Sequence, residues 1–122
     1  MRRNTTRIED KMARAYLEPL RSLAFGSISG TYTQIGTPTE HPVRLICITN
    51  ASQGDMLFSL DGITDHLFLH AGSFKLFDIQ SNMSPEKESD FVFDKGTRFY
   101  VKQVDAPVSG AVYVEVMYSF PV

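Results

Sequence analysis

From Ser27 to Ser119 the chain is a succession of short alternating or β-branched apolar segments, each closed by a turn signal, and few folds accommodate that pattern. Asp61-Gly62 follows Met56-Leu57-Phe58-Ser59-Leu60, and Ala71-Gly72 follows His66-Leu67-Phe68-Leu69-His70. Asp94-Lys95-Gly96 precedes residues 97–101, and Ser109-Gly110 precedes residues 111–114. Side chains alternate between the two faces of a strand, so a period of two with Gly-bearing reversals predicts hairpins. Strands recurring roughly every 8–12 residues with no helix between them predict an antiparallel β-sandwich or barrel, and eight strands suit a jelly roll.

Individual segments sharpen this reading. Residues 43–49, Val-Arg-Leu-Ile-Cys-Ile-Thr, are apolar on both faces apart from Arg44, which predicts a central strand. In the last segment Val112, Val114, Val116 and Tyr118 share one face, while Tyr113, Glu115 and Met117 share the other. A weaker strand is expected over residues 27–35, ending at Gly36-Thr37-Pro38, and Phe91-Val92-Phe93 with residues 97–104 reads as a further pair. Residues 81–90 form the longest polar loop, and Asn50 opens another.

The start of the chain reads differently. Thr6-Arg7-Ile8-Glu9 fits a capping box, and Ile8, Met12, Ala15 and Tyr16 follow at helical spacing, so a helix is expected that ends near Leu17, before Pro19, or restarts after the proline. Its apolar stripe needs a surface to dock on, either this domain or another subunit. We therefore divide the chain into a basic helical arm, residues 1–24, and a β-sandwich domain, residues 25–122. Residues 1–21 carry six basic and three acidic side chains, whereas the remainder is acidic within a net charge of −2. A basic arm on an acidic body points to an acidic neighbour: a second subunit, another protein or, through the arm alone, nucleic acid. Arg2, Arg3, Arg7, Ile8, Lys11, Met12, Arg14 and Tyr16 are the candidate partner-binding residues.

At 122 residues the chain is long enough to bury one core without disulfides. The lone Cys47 reads as a small buried apolar residue. No stretch approaches a membrane span, and the start lacks the apolar core of a signal peptide, so a non-membrane protein is expected.

Catalytic constellations are sparse. His66 and His70 fall on one face of a strand beside Asp61 and Asp65, but a zinc site wants a further ligand with HExxH or CxxC spacing. Asp61-Gly62-Ile63-Thr64-Asp65 lacks the terminal Glu of a calcium loop. There is no Gly-x-Ser-x-Gly elbow or phosphate-cradling loop, and Glu86/Glu88 and Asp90/Asp94 read as solvated. Aromatics such as Phe74, Phe77, Phe99 and Tyr100 could stack on single-stranded nucleic acid, but the acidic β region lacks the interleaved cations such a groove needs. The expectation is a non-enzyme with no cofactor and no metal.

Several elements carry a family likeness: Ile48-Thr49-Asn50, residues 58–66 around Asp61-Gly62, and Ala71-Gly72-Ser73 followed by Leu76-Phe77-Asp78-Ile79. Gly96-Thr97-Arg98-Phe99-Tyr100-Val101-Lys102 and Ser109-Gly110-Ala111-Val112-Tyr113-Val114 complete the set. In these the chain resembles small β-structured virion proteins of tailed bacteriophages. The resemblance implies a particle subunit present in many copies, made in the host cytoplasm, forming a homo-oligomer and meeting portal, tail or major capsid proteins. It implies no catalytic or ligand residues. A neck, collar or tail-attachment ring protein is the leading expectation. A capsid decoration (cement) protein is the alternative, followed by a host- or carbohydrate-binding module.

Overall fold

The computed structural model describes residues 14–78 and 94–120. These form nine strands and one 3-10 turn: β1 (Arg14–Leu17), β2 (Arg21–Ala24), the turn Phe25–Ser27, β3 (Thr33–Gln34), β4 (Leu45–Asn50), β5 (Met56–Ser59), β6 (Leu67–Leu69), β7 (Phe74–Asp78), β8 (Tyr100–Gln103) and β9 (Ala111–Phe120). The described fold is all-β, built of two sheets in which every pairing is antiparallel. Sheet A runs β1–β9–β4–β7, with β2 also on β9, and sheet B runs β3–β8–β5–β6.

One apolar cluster draws on both sheets. Ile46 and Ile48 of β4 and Val112, Val114 and Val116 of β9 join Met56 and Phe58 of β5, Leu69 of β6 and Val101 of β8. The alternation read in the sequence explains the choice: cross-strand partners Ile46↔Val116 and Ile48↔Val114 present the same face. β4 lies between β9 and β7, the interior place its composition predicted. Gly62 and Gly72 carry φ of 79° in the turns marked by Asp61-Gly62 and Ala71-Gly72, a conformation glycine adopts without Cβ strain.

The structure differs from the expectations at three places. Residues 14–17 are a strand, not the end of a helix: Arg14↔Phe120 through Leu17↔Met117 pair with the long free edge of β9, and that pairing overrides local helical spacing. The capping box and the rest of the expected helix, like residues 81–90 and Phe91-Val92-Phe93, lie outside the described residues. The strand expected over 27–35 is reduced to Thr33–Gln34, because Ser29 Oγ accepts the Thr31 N–H (3.3 Å) and turns the chain beforehand. Cys47 is half-buried and faces away from the core, since its partners are Leu76 and Glu115 on the outer side of sheet A.

The N-terminal strand has one further peculiarity. Leu17 pairs with Met117 and Arg21 with Val114, so three residues, Glu18, Pro19 and Leu20, oppose two on β9. This is a one-residue bulge, held where the Glu18 N–H donates to Val116 O at 3.0 Å. It resets the facing of the chain, and both Glu18 and Arg21 end up buried.

Candidate functional site

The bulge builds a buried ion pair. Arg21 Nη2 donates to Glu18 Oε1 at 2.7 Å, with side-chain exposures of 4% and 1%. Arg21 also donates through Nε to Thr37 O (2.6 Å) and through Nη2 to Pro38 O (2.9 Å). The other carboxylate oxygen, Oε2, accepts the Glu40 N–H at 3.0 Å and His41 Nδ1 at 2.7 Å. Burial alone would raise the Glu18 pKa, but the hydrogen bonds from His41, Arg21 and the Glu40 backbone outweigh it and hold the group below its usual range. The network ties the N-terminal strand to the 37–41 loop. Gly36 makes room for it: with φ of 65°, a Cβ there would sit 2.8 Å from Arg21 Cγ. His41 stacks on Tyr118 (centroids 3.6 Å apart, planes 6°), and Tyr118 stacks on Tyr16 (5.5 Å, 26°).

A second buried polar group joins the two sheets. Asn50, at the end of β4, donates from Nδ2 to Gly54 O (2.8 Å), Leu69 O (3.1 Å) and His70 O (3.2 Å). Its Oδ1 accepts Ser52 N (3.1 Å) and Ser52 Oγ (2.6 Å). All of this side chain's hydrogen-bonding capacity is used inside the protein, which is how a fully buried amide is accommodated.

The Asp61–His70 region is a structured loop. Asp61 Oδ1 accepts the Ile63 and Thr64 N–H groups (2.8 Å each), and these bonds, with Ser59 and Thr64 hydroxyls, hold its carboxyl well below the usual range. Asp65 accepts the Tyr32 hydroxyl at 2.6 Å and faces Lys102 Nζ at 3.3 Å, which lowers its pKa in turn. Lys102 Nζ also lies 4.7 Å over the Tyr32 ring. His66 Nδ1 accepts the Leu60 N–H (3.0 Å), whereas His70 lies 3.6 Å from Asp55 and edge-on to Phe68. His66 and His70 thus have separate partners. Among the described residues no three His, Cys, Asp or Glu side chains gather as a metal site would require. An apolar cavity of about 230 Å³ lies between the sheets, lined by Ile48, Phe58, Leu67, Phe77 and Phe99, with His66 at its side.

The outer face of sheet A has a different character. The register places Leu17, Met117 and Leu45 in one row, Glu115, Cys47 and Leu76 in the next, and Tyr113, Thr49 and Phe74 in a third. Leu17 is 70% exposed, Leu20 57%, Leu76 55% and Phe74 64%, and Glu115 stands exposed in their midst. Glu115 meets no cation among the described residues. Large apolar side chains grouped on one sheet face, rather than scattered, mark a surface that meets another surface.

Of the partner-binding residues expected from the sequence, Arg2, Arg3, Arg7, Ile8, Lys11 and Met12 lie outside the described residues. The backbone of Arg14 pairs in β1, and Tyr16 stacks on Tyr118 instead of lining a helical stripe. Glu18, Arg21 and His41 were not singled out in the sequence. The available cue was Pro19, which removes a backbone donor and argues against one continuous helix through Glu18 and Arg21.

No family model matches the chain, and no curated protein matches it. Solved structures do. A chain of the capsid asymmetric unit of cyanophage Pam1 aligns with TM-score 0.50 at 10% identity, covering 90% of this chain and 87% of the other. A chain from Bacillus endospore appendages, a family of disulfide-linked pili, aligns with TM-score 0.48 at 11% identity, covering 90% of both chains. The Dit protein of phage SPP1, from a hub adsorption apparatus, aligns with TM-score 0.38 at 13% identity over 85% of this chain and 49% of its own. The cyanophage likeness is one of fold.

Proposed function

We propose that this chain is a structural, non-enzymatic subunit of a tailed-phage virion, working in multiple copies. The observation that carries the reading is the outer face of sheet A, where Leu17, Leu20, Phe74 and Leu76 expose apolar surface that an isolated subunit leaves in water. The buried polar groups, by contrast, are spent on rigidity. Glu18, Arg21 and Asn50 each serve internal bonds, as suits a brick that must present fixed surfaces to its neighbours. The strand orders β1/β2–β9–β4–β7 and β3–β8–β5–β6 support a jelly-roll sandwich, an architecture common in capsid domains. The fold likeness to the cyanophage capsid chain agrees with membership of a particle.

Within the virion, a neck, collar or tail-attachment ring is the first assignment, and a capsid decoration protein the second. The test is the size and symmetry of the purified full chain by mass photometry and negative-stain microscopy, with and without portal and capsid shells. Closed rings that bind portal or tail parts support the ring assignment. Addition to preformed shells, with a rise in their melting temperature, supports decoration. A chain that stays monomeric and binds neither would overturn the virion reading and favour a host- or carbohydrate-binding module.

A further inference from the structure

We infer that the outer face of sheet A receives the N-terminal segment, residues 1–13, of a neighbouring copy of this chain. The inference rests on the multi-copy reading above and names the surface through which copies would join. Three observations carry it: charge, chain direction and reach.

The apolar face carries two exposed carboxylates: Glu115 in its middle row, between Leu20 on one side and Cys47 and Leu76 on the other, and Asp78 at the β7 edge opposite Leu45. Apposing two such faces about a twofold axis through the Glu115 row would bring the two Glu115 carboxylates towards each other, an unfavourable like-charge contact at an apolar interface. An occupant that brings cations and apolar side chains together suits the surface better. Residues 1–13 offer Arg2, Arg3, Arg7 and Lys11 against Glu9 and Asp10, with Ile8 and Met12 as apolar anchors.

Direction favours a neighbour's face over the chain's own. β1 runs from Arg14, opposite Phe120, towards Leu17, opposite Met117. Traced towards the N-terminus, the backbone at Arg14 therefore leaves past the Phe120 end of the sheet, away from the Glu115 and Phe74 rows. Occupying its own face would require an immediate reversal. Reach is sufficient: thirteen extended residues span roughly 40 Å, whereas crossing from β1 to β7 over three strand spacings takes only about 14 Å. Segment and face are different surfaces, so copies joined head to tail build rings or filaments, and two copies that exchange segments reciprocally close as a pair.

Cys47, the lone cysteine, lies on this face beside Glu115 and provides the probe. Full-length chains carrying Thr5→Cys, Arg7→Cys or Lys11→Cys are treated with a short bis-maleimide, each with a Cys47→Ala control. Sedimentation velocity over a concentration series is run on the wild type, Glu115→Lys, and Glu115→Lys combined with Arg7→Glu and Lys11→Glu. The expected result is covalent dimers or higher multimers that Cys47→Ala abolishes. Self-association should be weakened about tenfold or more by Glu115→Lys and substantially restored by the charge swap. A cross-link confined to the monomer overturns the inference, because the segment then sits on its own face. Self-association without cross-links or sensitivity to Glu115→Lys also overturns it, leaving the multi-copy reading intact. Absence of self-association at every concentration overturns both.

Discussion

Glu18 and Arg21 face each other at 2.7 Å in the interior, three residues apart on a strand that bulges between them. Ordinary strand alternation would place residues three apart on opposite faces; the extra residue brings both inside. The pair, with His41 and the carbonyls of Thr37 and Pro38, makes residues 14–24 part of the folded sheet.

Replacing one partner should therefore cost far more than a surface ion pair. Arg21→Met leaves the Glu18 carboxylate buried against His41 and the Glu40 N–H alone, and a loss of about 3–5 kcal/mol in unfolding free energy is expected. Urea denaturation of the variant beside wild type measures it. A loss below about 1 kcal/mol would mean that solvent reaches the pair.

Acid should weaken the protein through the same group. Glu18 has a folded-state pKa below its usual value of 4.5, so its contribution is present above the unfolded pKa and is lost as pH falls through the folded one. Asp61 and Asp65, also lowered, act in the same direction. The melting temperature should decline from about pH 5 downwards. Glu18→Gln should start lower and show a shallower decline, and an equal slope in both proteins would remove Glu18 from the explanation.

Asn50 makes the same point between the sheets. Asn50→Ala strips the donor from the carbonyls of Gly54, Leu69 and His70. A loss of about 2–4 kcal/mol is expected, with faster amide exchange at the β4 and β6 ends. Exchange unchanged at both ends would show that the amide is not what joins them.

Truncation distinguishes segment from sheet. Deleting residues 1–13 should leave the melting temperature within about 3 °C of wild type, since Arg14–Leu17 and Arg21–Ala24 keep their pairing with β9. Deleting residues 1–24 uncovers one whole edge of β9 and removes Glu18 and Arg21, and circular dichroism should then report loss of the fold. A stable 25–122 fragment would support the domain boundary expected from the sequence.

Much of the sheet was legible because its signals are local. β4, β5 and β9 alternate or carry β-branched runs, and Gly62 and Gly72 sit where the chain must reverse with positive φ. The N-terminal strand was not legible: Ala15 and Tyr16 continue a helical spacing, and only the ten-residue β9, far along the chain, supplies the edge that makes them extended. Cys47 was expected inside because β4 is apolar on both faces, and periodicity cannot tell which face of such a strand meets the core. The Glu18–Arg21–His41 network has no spacing signature, since its members meet through a bulge and a distant loop. Asn50 resembled any loop-opening asparagine. Its role depends on the β6 carbonyls that the fold brings beside it.

The three residues between Leu17 and Arg21 make length, more than chemistry, the constraint on this part of the chain. Loss of Pro19 or Leu20 would remove the bulge yet leave Arg21 opposite Val114 and Leu23 opposite Val112, both still facing inward, so the change would fall on the kink that sets Glu18 against Arg21. A single-codon deletion here would straighten the strand and take away the spacing that seats the buried pair.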